Sequence, residues 1–296
     1  MKRRIINPLI GVALMLSSCE SNVSNEPQVL DLKSQQIGIT SVHNARQLGG
    51  YRIGDKCVKA DLLLRSAKLA NLSLEDSTLL SDKFKVQRIY DFRSQEEILS
   101  DPDVIPGQAT HLALSLSFTD GVEGEGQFNI DYKNQEKIIA LLLQNADHPS
   151  IQAMCMGMYD LIFFEESSQQ VYRQFFADLL TLDPADGAIL WHCTQGKDRA
   201  GCASAMLLAA LGADRSLIIA DYTLSKEYYD PMAMRIPTTT EVQRNVINTL
   251  ISANPTIFEA TLDKVDQQYG SLTNYLTQCI GLTPDMMQLL RDRYLE

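Results

Sequence analysis

The apolar residues of this chain follow strand spacing in some segments and helical spacing in others. Residues 86–92 (VQRIYDF) are rich in β-forming side chains, and residues 188–191 (AILW) form a short continuous apolar run. These patterns predict two strands, the second of which is buried on both faces of a sheet. Apolar residues at helical spacing over 133–144 and 169–180 predict two helices.

The chain after the second predicted strand is expected to be mainly helical. Small residues fill 200–211, Gly212 follows them as a helix-terminating residue, and another helix is predicted over 216–224. A capping box and two first-turn prolines mark later helix starts, at 238–241 (TTTE), Pro255 and Pro284. Early strands followed by helices predict an α/β domain with a helical C-terminal portion.

The N-terminal residues have the pattern of an export signal. A basic segment at 2–4 (KRR) precedes an apolar run over 5–16, which is shorter than the roughly 20 residues that span a bilayer. The sequence LSSC then ends at Cys19 and resembles a bacterial lipobox, in which this cysteine carries the lipid anchor. Residues 1–19 are therefore predicted to be a lipoprotein signal peptide; an ordinary signal peptide and a buried N-terminal strand are the alternatives.

The segment that follows is polar and poor in aromatic residues. Residues 20–38 are predicted to be a flexible tether, and residues 39–296 a single folded domain. A lipid-anchored protein of the bacterial cell envelope is expected, facing the periplasm or lying in the outer membrane. It would contact the membrane only through its anchor.

The charge of the chain limits its partners. The formal net charge is −11 and the isoelectric point is near 4.9, so an acidic surface repels nucleic acid, and no nucleic-acid partner is expected. The same surface repels phosphorylated substrates, which means that any phosphate site must generate its positive field locally. Apart from Cys19 the cysteines are odd in number and widely spaced, unlike a disulfide framework or a zinc site.

One segment between the buried strand and the small-residue helix carries chemistry. It reads HCTQGKDR at 192–199, with five residues between Cys193 and Arg199. A loop of this length can wrap its backbone N–H groups around a tetrahedral dianion at a helix N-terminus, and an arginine can bind two phosphate oxygens as a fork. The residues predicted to bind the phosphate group are His192, Thr194, Gln195, Gly196 and Lys197.

Cys193 is the predicted nucleophile because a helix N-terminus and nearby cations favour the thiolate form of a cysteine. Its attack on phosphorus would give a cysteinyl-phosphate that water hydrolyses. No cofactor and no metal are needed, since the loop and Arg199 stabilise the charge of the transferring group. A buried core cysteine and a sulfur-transfer loop are the competing interpretations.

Several short motifs then identify a family resemblance. The loop resembles the His-Cys-x5-Arg signature of the protein tyrosine phosphatase superfamily and, more narrowly, the HCxxGKDRxG loop of the bacterial tyrosine/serine phosphatases. Further matches are NARQLGGY at 44–51, LRS at 64–66, YDFRS at 90–94, DYTLS at 221–225, YL at 275–276 and GLT at 281–283. The resemblance implies a cysteine-phosphatase fold, with a mixed sheet flanked by helices and a helical lid at 226–270.

The resemblance also bears on two further groups in and near the loop. A lysine at the position of Lys197 is associated with highly charged substrates in such families; a solvent-facing lysine is the alternative. An acid must protonate the leaving oxygen, and the candidates are Asp198, Asp91 and Asp120, each of which could instead cap a helix or turn. Asp91 matches the family aspartate at the strand end.

Two positions depart from the family pattern. Ala200 stands where the family has a threonine that supports the thiolate, which predicts slower turnover rather than none. Gln47 replaces an aspartate, so a charge-pairing role there is in doubt. A protective disulfide between Cys202 and Cys193 is conceivable, but a small core cysteine is the favoured interpretation of Cys202.

The leading hypothesis is a phosphomonoesterase, a protein-tyrosine phosphatase with dual specificity as an extension. The alternatives are a phosphoinositide or inositol polyphosphate phosphatase, which Lys197 favours, and a phosphate-binding lipoprotein without activity, which Ala200 favours. The expected partner is accordingly a phosphorylated protein or a phosphoinositide.

Overall fold

The computed structural model describes residues 32–116 and 135–296. The predicted signal peptide, the lipid-anchor residue Cys19 and the candidate acid Asp120 lie outside the described residues. So does the N-terminal part of the predicted tether.

A central sheet and a small hairpin are built from the strands β1 (Arg46–Gln47), β2 (Arg52–Ile53), β3 (Lys56–Cys57), β4 (Leu63–Ser66), β5 (Arg88–Asp91), β6 (Thr110–Ala113) and β7 (Ile189–His192). The sheet is mixed and five-stranded, with the strand order β1-β4-β7-β5-β6. Strands β4, β5, β6 and β7 run parallel to one another, and β1 pairs antiparallel with β4. The separate hairpin joins β2 and β3.

Helices flank the sheet and make up most of the C-terminal half. They are α1 (Leu32–Gln35), α2 (Leu74–Thr78), α3 (Gln95–Ser100), α4 (Gln135–Gln144), α5 (Pro149–Phe164), α6 (Glu166–Leu179), α7 (Arg199–Leu211), α8 (Arg215–Thr223), α9 (Ser225–Met234), α10 (Glu241–Leu250), α11 (Pro255–Tyr269), α12 (Leu272–Tyr275) and α13 (Pro284–Tyr294). The predicted mixed sheet flanked by helices is confirmed.

The centre of the domain is the strand–loop–helix unit β7–α7. β7 lies between β4 and β5, and all four of its residues are buried. All thirteen residues of α7 are buried as well, because small side chains let neighbouring elements enclose it on every side. Gly212 ends the helix in the left-handed conformation, with φ of 99°. The loop between these two elements is consequently fixed at both ends by the core.

The structure differs from the sequence expectations at two places. The predicted capping box at 238–241 does not form, because the residue that caps α10 is Thr240 and not Thr238. The Thr240 side chain accepts a hydrogen bond from the backbone N–H of Gln243. The predicted tether is not entirely a tether, because Gln36 forms a β-bridge with Arg46 and Ile37 is buried in the core.

The predicted lid region, 226–270, contains most of α9 together with α10 and α11. It is helical, as expected, while its action as a lid stays a prediction. Within the described ranges, no helix combines the length and the hydropathy that crossing a bilayer requires.

Candidate active site

The loop from Cys193 to Asp198 makes a tight turn against the end of β4. Gly196 lies in the left-handed region with φ of 64°, and a Cβ atom there would sit 2.2 Å from the carbonyl oxygen of Ser66. Only glycine avoids this collision with backbone. The sequence therefore places a glycine where the loop crosses the neighbouring strand.

The carbonyl oxygens of the loop face backwards into the domain. The carbonyl of Gln195 accepts hydrogen bonds from Asn44 Nδ2, at 3.0 Å, and from the Tyr229 hydroxyl. The carbonyl of Gly196 accepts one from Arg65 Nη2, at 2.6 Å.

The backbone N–H groups of the loop point the other way, because N–H and C=O lie on opposite sides of a trans peptide. No residue in the described ranges accepts a hydrogen bond from the N–H groups of residues 194–198. A row of unpaired N–H groups at the start of a helix is a site for an anion.

A buried ion cluster supports this loop from behind. Asp221 accepts from Arg46 Nε at 3.3 Å, pairs with Arg65 and accepts from the Tyr51 hydroxyl at 2.9 Å. Burial alone would raise the pKa of the Asp221 carboxyl, but Arg65 and Arg46 lower it below its usual range. Two arginines share one carboxylate, so the cluster keeps positive charge beneath the loop. This explains why the family motifs at 44–51, 64–66 and 221–225 converge in space.

Arg199 is held in a fork by Glu97. Its Nη1 lies 2.6 Å from Glu97 Oε2, and its Nη2 lies 2.9 Å from Oε1. Burial would raise the pKa of Glu97, yet the hydrogen bonds and charge of Arg199 lower it. The carboxylate is thus ionised and presents the guanidinium to the loop in a fixed orientation.

Glu97 is the site residue that the sequence interpretation missed. Its side chain also accepts from the Thr194 hydroxyl and from the backbone N–H of Ser94 at 2.8 Å, so it orders the loop and the start of α3 together. The Ser94 hydroxyl in turn accepts from the backbone N–H of Glu97, at 3.3 Å, which completes a capping box. The spacing Ser-x-x-Glu directly after a strand was the available signal.

Cys193 follows β7 directly and is only 2% exposed. The preceding His192 is fully buried, with Nε2 lying 3.1 Å from Asp103 Oδ2 and Nδ1 lying 3.8 Å from Asp91 Oδ1. The imidazole is therefore anchored beneath the loop rather than facing a ligand in it. Cys193 and Cys202 are both free thiols, so the conceivable disulfide between them is not formed here.

The candidate acid Asp91 lies in the same cluster. Its Oδ2 is 2.7 Å from Arg93 Nη2 and 3.4 Å from His111 Nε2. Burial would raise the pKa of this carboxyl, but the charge of His192 and the hydrogen bonds from His111 and Arg93 hold it far below its ordinary value. A carboxyl in this environment holds its proton poorly, which disfavours it as a general acid.

This cluster also has the composition of a metal site. Asp91, Asp103, His111 and His192 bring four potential ligand atoms within 4.8 Å of one another. However, Arg93 Nη2 lies 2.7 Å from Oδ2 of both aspartates. The guanidinium already occupies the position between the carboxylates that a cation would take, so the residues are arranged as an ion-pair network.

Asp198 lies at the opposite side of the loop. It is the residue before α7, yet its side chain accepts no capping hydrogen bond from that helix, which removes helix capping as its explanation. Its Oδ1 accepts from the Tyr159 hydroxyl at 2.6 Å.

Lys197 faces neither solvent nor the loop interior. Its side chain is fully buried, and Nζ lies 3.1 Å from the carbonyl oxygen of Leu250 and 2.8 Å from that of Ser252. A third carbonyl, that of Thr249, lies 3.3 Å away. The ammonium thus binds the C-terminal end of α10, and direct contact of Lys197 with substrate stays a prediction.

The sequence profile described as the tyrosine phosphatase family matches residues 37–296. The chain belongs to this family. The match includes the loop at 192–199, the arginines Arg46 and Arg65 that lie behind it, and the helices that follow it. By its family the protein is a phosphatase.

Similar proteins carry related names. A candidate tyrosine-protein phosphatase of Cupriavidus necator is 27% identical over 290 residues, which is 95% of this chain and 98% of that protein. The triple specificity protein phosphatase PtpB of Mycobacterium tuberculosis is 31% identical over 112 residues, which is 33% of this chain and 41% of PtpB. A tyrosine-protein phosphatase of Nostoc commune is 26% identical over 178 residues, which is 58% of this chain and 51% of that protein.

Solved structures are more distant. The core catalytic domain of the PP-IP phosphatase SIW14 from S. cerevisiae, in complex with citrate, has a TM-score of 0.33 and 12% identity. The match covers 76% of this chain and 96% of that domain. Similarity at this level carries no inference about the substrate.

Proposed function

We propose that this member of the tyrosine phosphatase family is a phosphomonoesterase that acts through a cysteinyl-phosphate, with phosphotyrosine in proteins as its substrate. The observation that carries the proposal is the set of unpaired N–H groups at 194–198, placed between Cys193 and Arg199. This arrangement offers donors to a phosphate dianion from the backbone and from a guanidinium, with a thiol at the base.

The first chemical step forms the S–P bond. Cys193 Sγ attacks phosphorus, the bond from phosphorus to the leaving oxygen breaks, and the loop N–H groups with Arg199 stabilise the charge on the transferring oxygens. The forked contact between Arg199 and Glu97 fixes the orientation of the guanidinium before substrate binds. Little reorganisation is then needed as the reaction proceeds.

Asp198 is the acid and base of this proposal. It carries a proton to the leaving oxygen in the first step and accepts one from the attacking water in the second, when the S–P bond breaks. Its carboxylate is 17% exposed, is not engaged as a helix cap, and has the Lys197 ammonium 3.6 Å from Oδ1. Asp91 is fully buried and is paired more closely with Arg93, at 2.7 Å. These contrasts favour Asp198 over Asp91.

Phosphotyrosine is preferred to a phosphoinositide for one reason in the site. The sequence argument for highly charged substrates rested on Lys197, whose ammonium is taken up by three backbone carbonyls of the α10 terminus. The relatives named tyrosine-protein phosphatases also support phosphotyrosine as the substrate. Dual specificity stays part of the proposal because PtpB is named a triple specificity protein phosphatase.

The test is hydrolysis of a phosphotyrosine peptide by residues 32–296 in the presence of EDTA, beside Cys193→Ser. Activity that survives EDTA and disappears in the variant is expected. A folded wild-type domain that binds phosphate but hydrolyses neither this peptide nor a phosphoinositide would replace the proposal with a binding protein.

We propose further that the phosphatase is anchored in the cell envelope through lipid on Cys19. The support is the basic, apolar and small-residue pattern of the N-terminus. The full-length chain should partition with membranes, and Cys19→Ser should release it into the soluble fraction. Equal partitioning of the two proteins would contradict the anchor.

A further inference from the structure

A buried chain of hydroxyl groups leads to Asp198 from the helical side of the site. The Tyr159 hydroxyl donates to Asp198 Oδ1, and the hydroxyls of Tyr159 and Tyr222 are in hydrogen-bond contact with each other. Tyr159 comes from α5 and Tyr222 from α8, and each is at most 1% exposed. Two separate elements therefore place polar atoms of fully buried side chains at one carboxylate.

The direction of these bonds follows from the number of protons available. Tyr159 has a single hydroxyl proton and gives it to the carboxylate, which can only accept. The proton shared between the two tyrosines must then come from Tyr222. The result is a chain of two hydroxyl donors that ends at Asp198.

Aromatic packing fixes the two rings that carry these hydroxyls. Phe258 stacks on Tyr222 with a centroid separation of 4.3 Å and meets Tyr159 edge-on at 5.5 Å. Rings packed in this way have one rotamer available, so the hydroxyls cannot turn towards other acceptors. Burial, with the nearby charge of Asp198, raises the pKa of Tyr159 well above 10, and both tyrosines remain donors.

We propose that Tyr159, supported by Tyr222, is the positioning residue for proton transfer by Asp198. The inference rests on the proposed role of Asp198 as acid and base. By taking Oδ1, the Tyr159 hydroxyl leaves Oδ2 as the oxygen that gives its proton to the leaving group. Oδ2 regains a proton from the attacking water in the second step, and Tyr159 keeps its own proton throughout.

The test compares Tyr159→Phe with Tyr90→Phe in the complete phosphatase domain. Tyr90 is a matched control, since it is also fully buried and donates to a carboxylate, Asp178 Oδ2, at 2.8 Å, which belongs to no part of the site. Kinetics are measured with phenyl phosphate, whose leaving group needs protonation, and with 4-nitrophenyl phosphate, whose leaving group needs it much less.

Tyr159→Phe is expected to lower kcat/KM for phenyl phosphate, which reports the step in which the leaving group departs, on the order of tenfold, a fraction of what general acid catalysis supplies. The loss of kcat/KM with 4-nitrophenyl phosphate should be small. Tyr222→Phe should give a weaker effect of the same kind. In an Asp198→Asn background, Tyr159→Phe should cause no further loss with phenyl phosphate.

Three results would overturn the inference. They are an equal loss in Tyr159→Phe and Tyr90→Phe, an equal loss with both substrates, and a full additional loss in the Asp198→Asn background. Failure of the proposed function is distinguishable from all three, because the wild-type domain would then hydrolyse neither substrate. Thermal unfolding of each variant shows whether a loss of activity reflects loss of the folded protein.

Discussion

The two cations at the end of the phosphate loop are held in opposite ways. Arg199 points to the sheet side and is paired with the carboxylate of Glu97, whereas Lys197 points to the helical side and binds three backbone carbonyls at the end of α10. Both side chains are buried. A carboxylate and a phosphate group bind the same N–H groups of a guanidinium, so they compete for Arg199. The C-terminal end of a helix, in contrast, attracts any cation through its partial negative charge.

The two environments predict different roles for the two cations. Arg199 is held by a partner that resembles the ligand in charge and shape, so a phosphate competes with Glu97 for its N–H groups. Lys197 instead connects the loop to the end of α10 through its hydrogen bonds to the backbone carbonyls of residues 249, 250 and 252. One cation is therefore expected to control turnover, and the other to control how the helices lie over the loop.

The largest effect is expected from Arg199→Lys. The variant keeps the charge but loses the fork, and kcat/KM for 4-nitrophenyl phosphate should fall on the order of 100- to 1000-fold. Steady-state kinetics of the purified domain checks this. A loss below tenfold would show that charge alone suffices and would remove the functional difference between the two cations.

Glu97→Gln should be the most destabilising change on the sheet side. It leaves a buried guanidinium without its ionised partner, and such changes cost about 3–5 kcal/mol in unfolding free energy. Inorganic phosphate should restore part of the loss by supplying a substitute anion. Urea unfolding with and without phosphate measures both quantities.

Glu96→Gln is the matched control for that variant, because Glu96 is an exposed neighbour on the same helix. Its stability should stay within about 0.5 kcal/mol of wild type. If the two variants lose the same stability, the fork between Glu97 and Arg199 contributes nothing.

Lys197→Met should have an intermediate effect confined to the helical side. Loss of the charged hydrogen bonds is expected to cost about 1.5–3 kcal/mol, and hydrogen exchange should quicken over residues 249–254. The kinetic loss should be equal for phosphotyrosine and for inositol polyphosphates. A loss that grows with the number of phosphate groups would instead return Lys197 to direct substrate binding.

The ion-pair network under His192 predicts a dependence of stability on pH. Hydrogen bonds that the His111 imidazole donates to Asp103 and Asp91 raise its pKa from 6.5 to about 9. The stabilisation is therefore fully present below pH 6.5 and is lost as pH rises through 9. The melting temperature should fall over this interval by a few degrees, more steeply than in His111→Gln.

Arg93 and His192 face the same carboxylates, so the comparison needs a histidine outside the network. His43 is exposed and provides it. His43→Gln should keep the wild-type pH dependence of melting. If His111→Gln keeps it as well, the network does not titrate through His111.

The smallest effect is expected from Ala200→Thr, in the first turn of α7. A hydroxyl there should support the thiolate and speed hydrolysis of the phosphoenzyme, raising kcat a few-fold, on the order of 1 kcal/mol in the barrier. Ala200 is fully buried, so overpacking should cost stability at the same time. Rapid-quench measurement of the phosphoenzyme separates the two effects; an unchanged or lower kcat counts against the idea.

Much of the fold could be predicted because local pattern and tertiary environment agree in β7 and α7. A continuous apolar run predicted a strand buried on both faces, and small residues predicted an enclosed helix. The helix start predicted at 238–241 was wrong by two residues. Three consecutive threonines can each act as the N-cap, and the packing of α10 selects Thr240.

The reactive groups that the loop carries can be identified from the sequence alone. The spacing from Cys193 to Arg199, with Gly196 between them, is local information, since a short loop can wrap an anion in few ways. It identified the family resemblance and the candidate nucleophile for the same reason.

The surroundings of each loop residue depend on the tertiary structure. Glu97 lies 102 residues from Arg199 in sequence, and the carbonyls that bind Lys197 lie 52 to 55 residues away. Contacts of this kind depend on how the sheet and helices pack, and no local pattern records them. The loop sequence therefore fixes which groups are available, while the packing of α3, α5 and α10 fixes where they point.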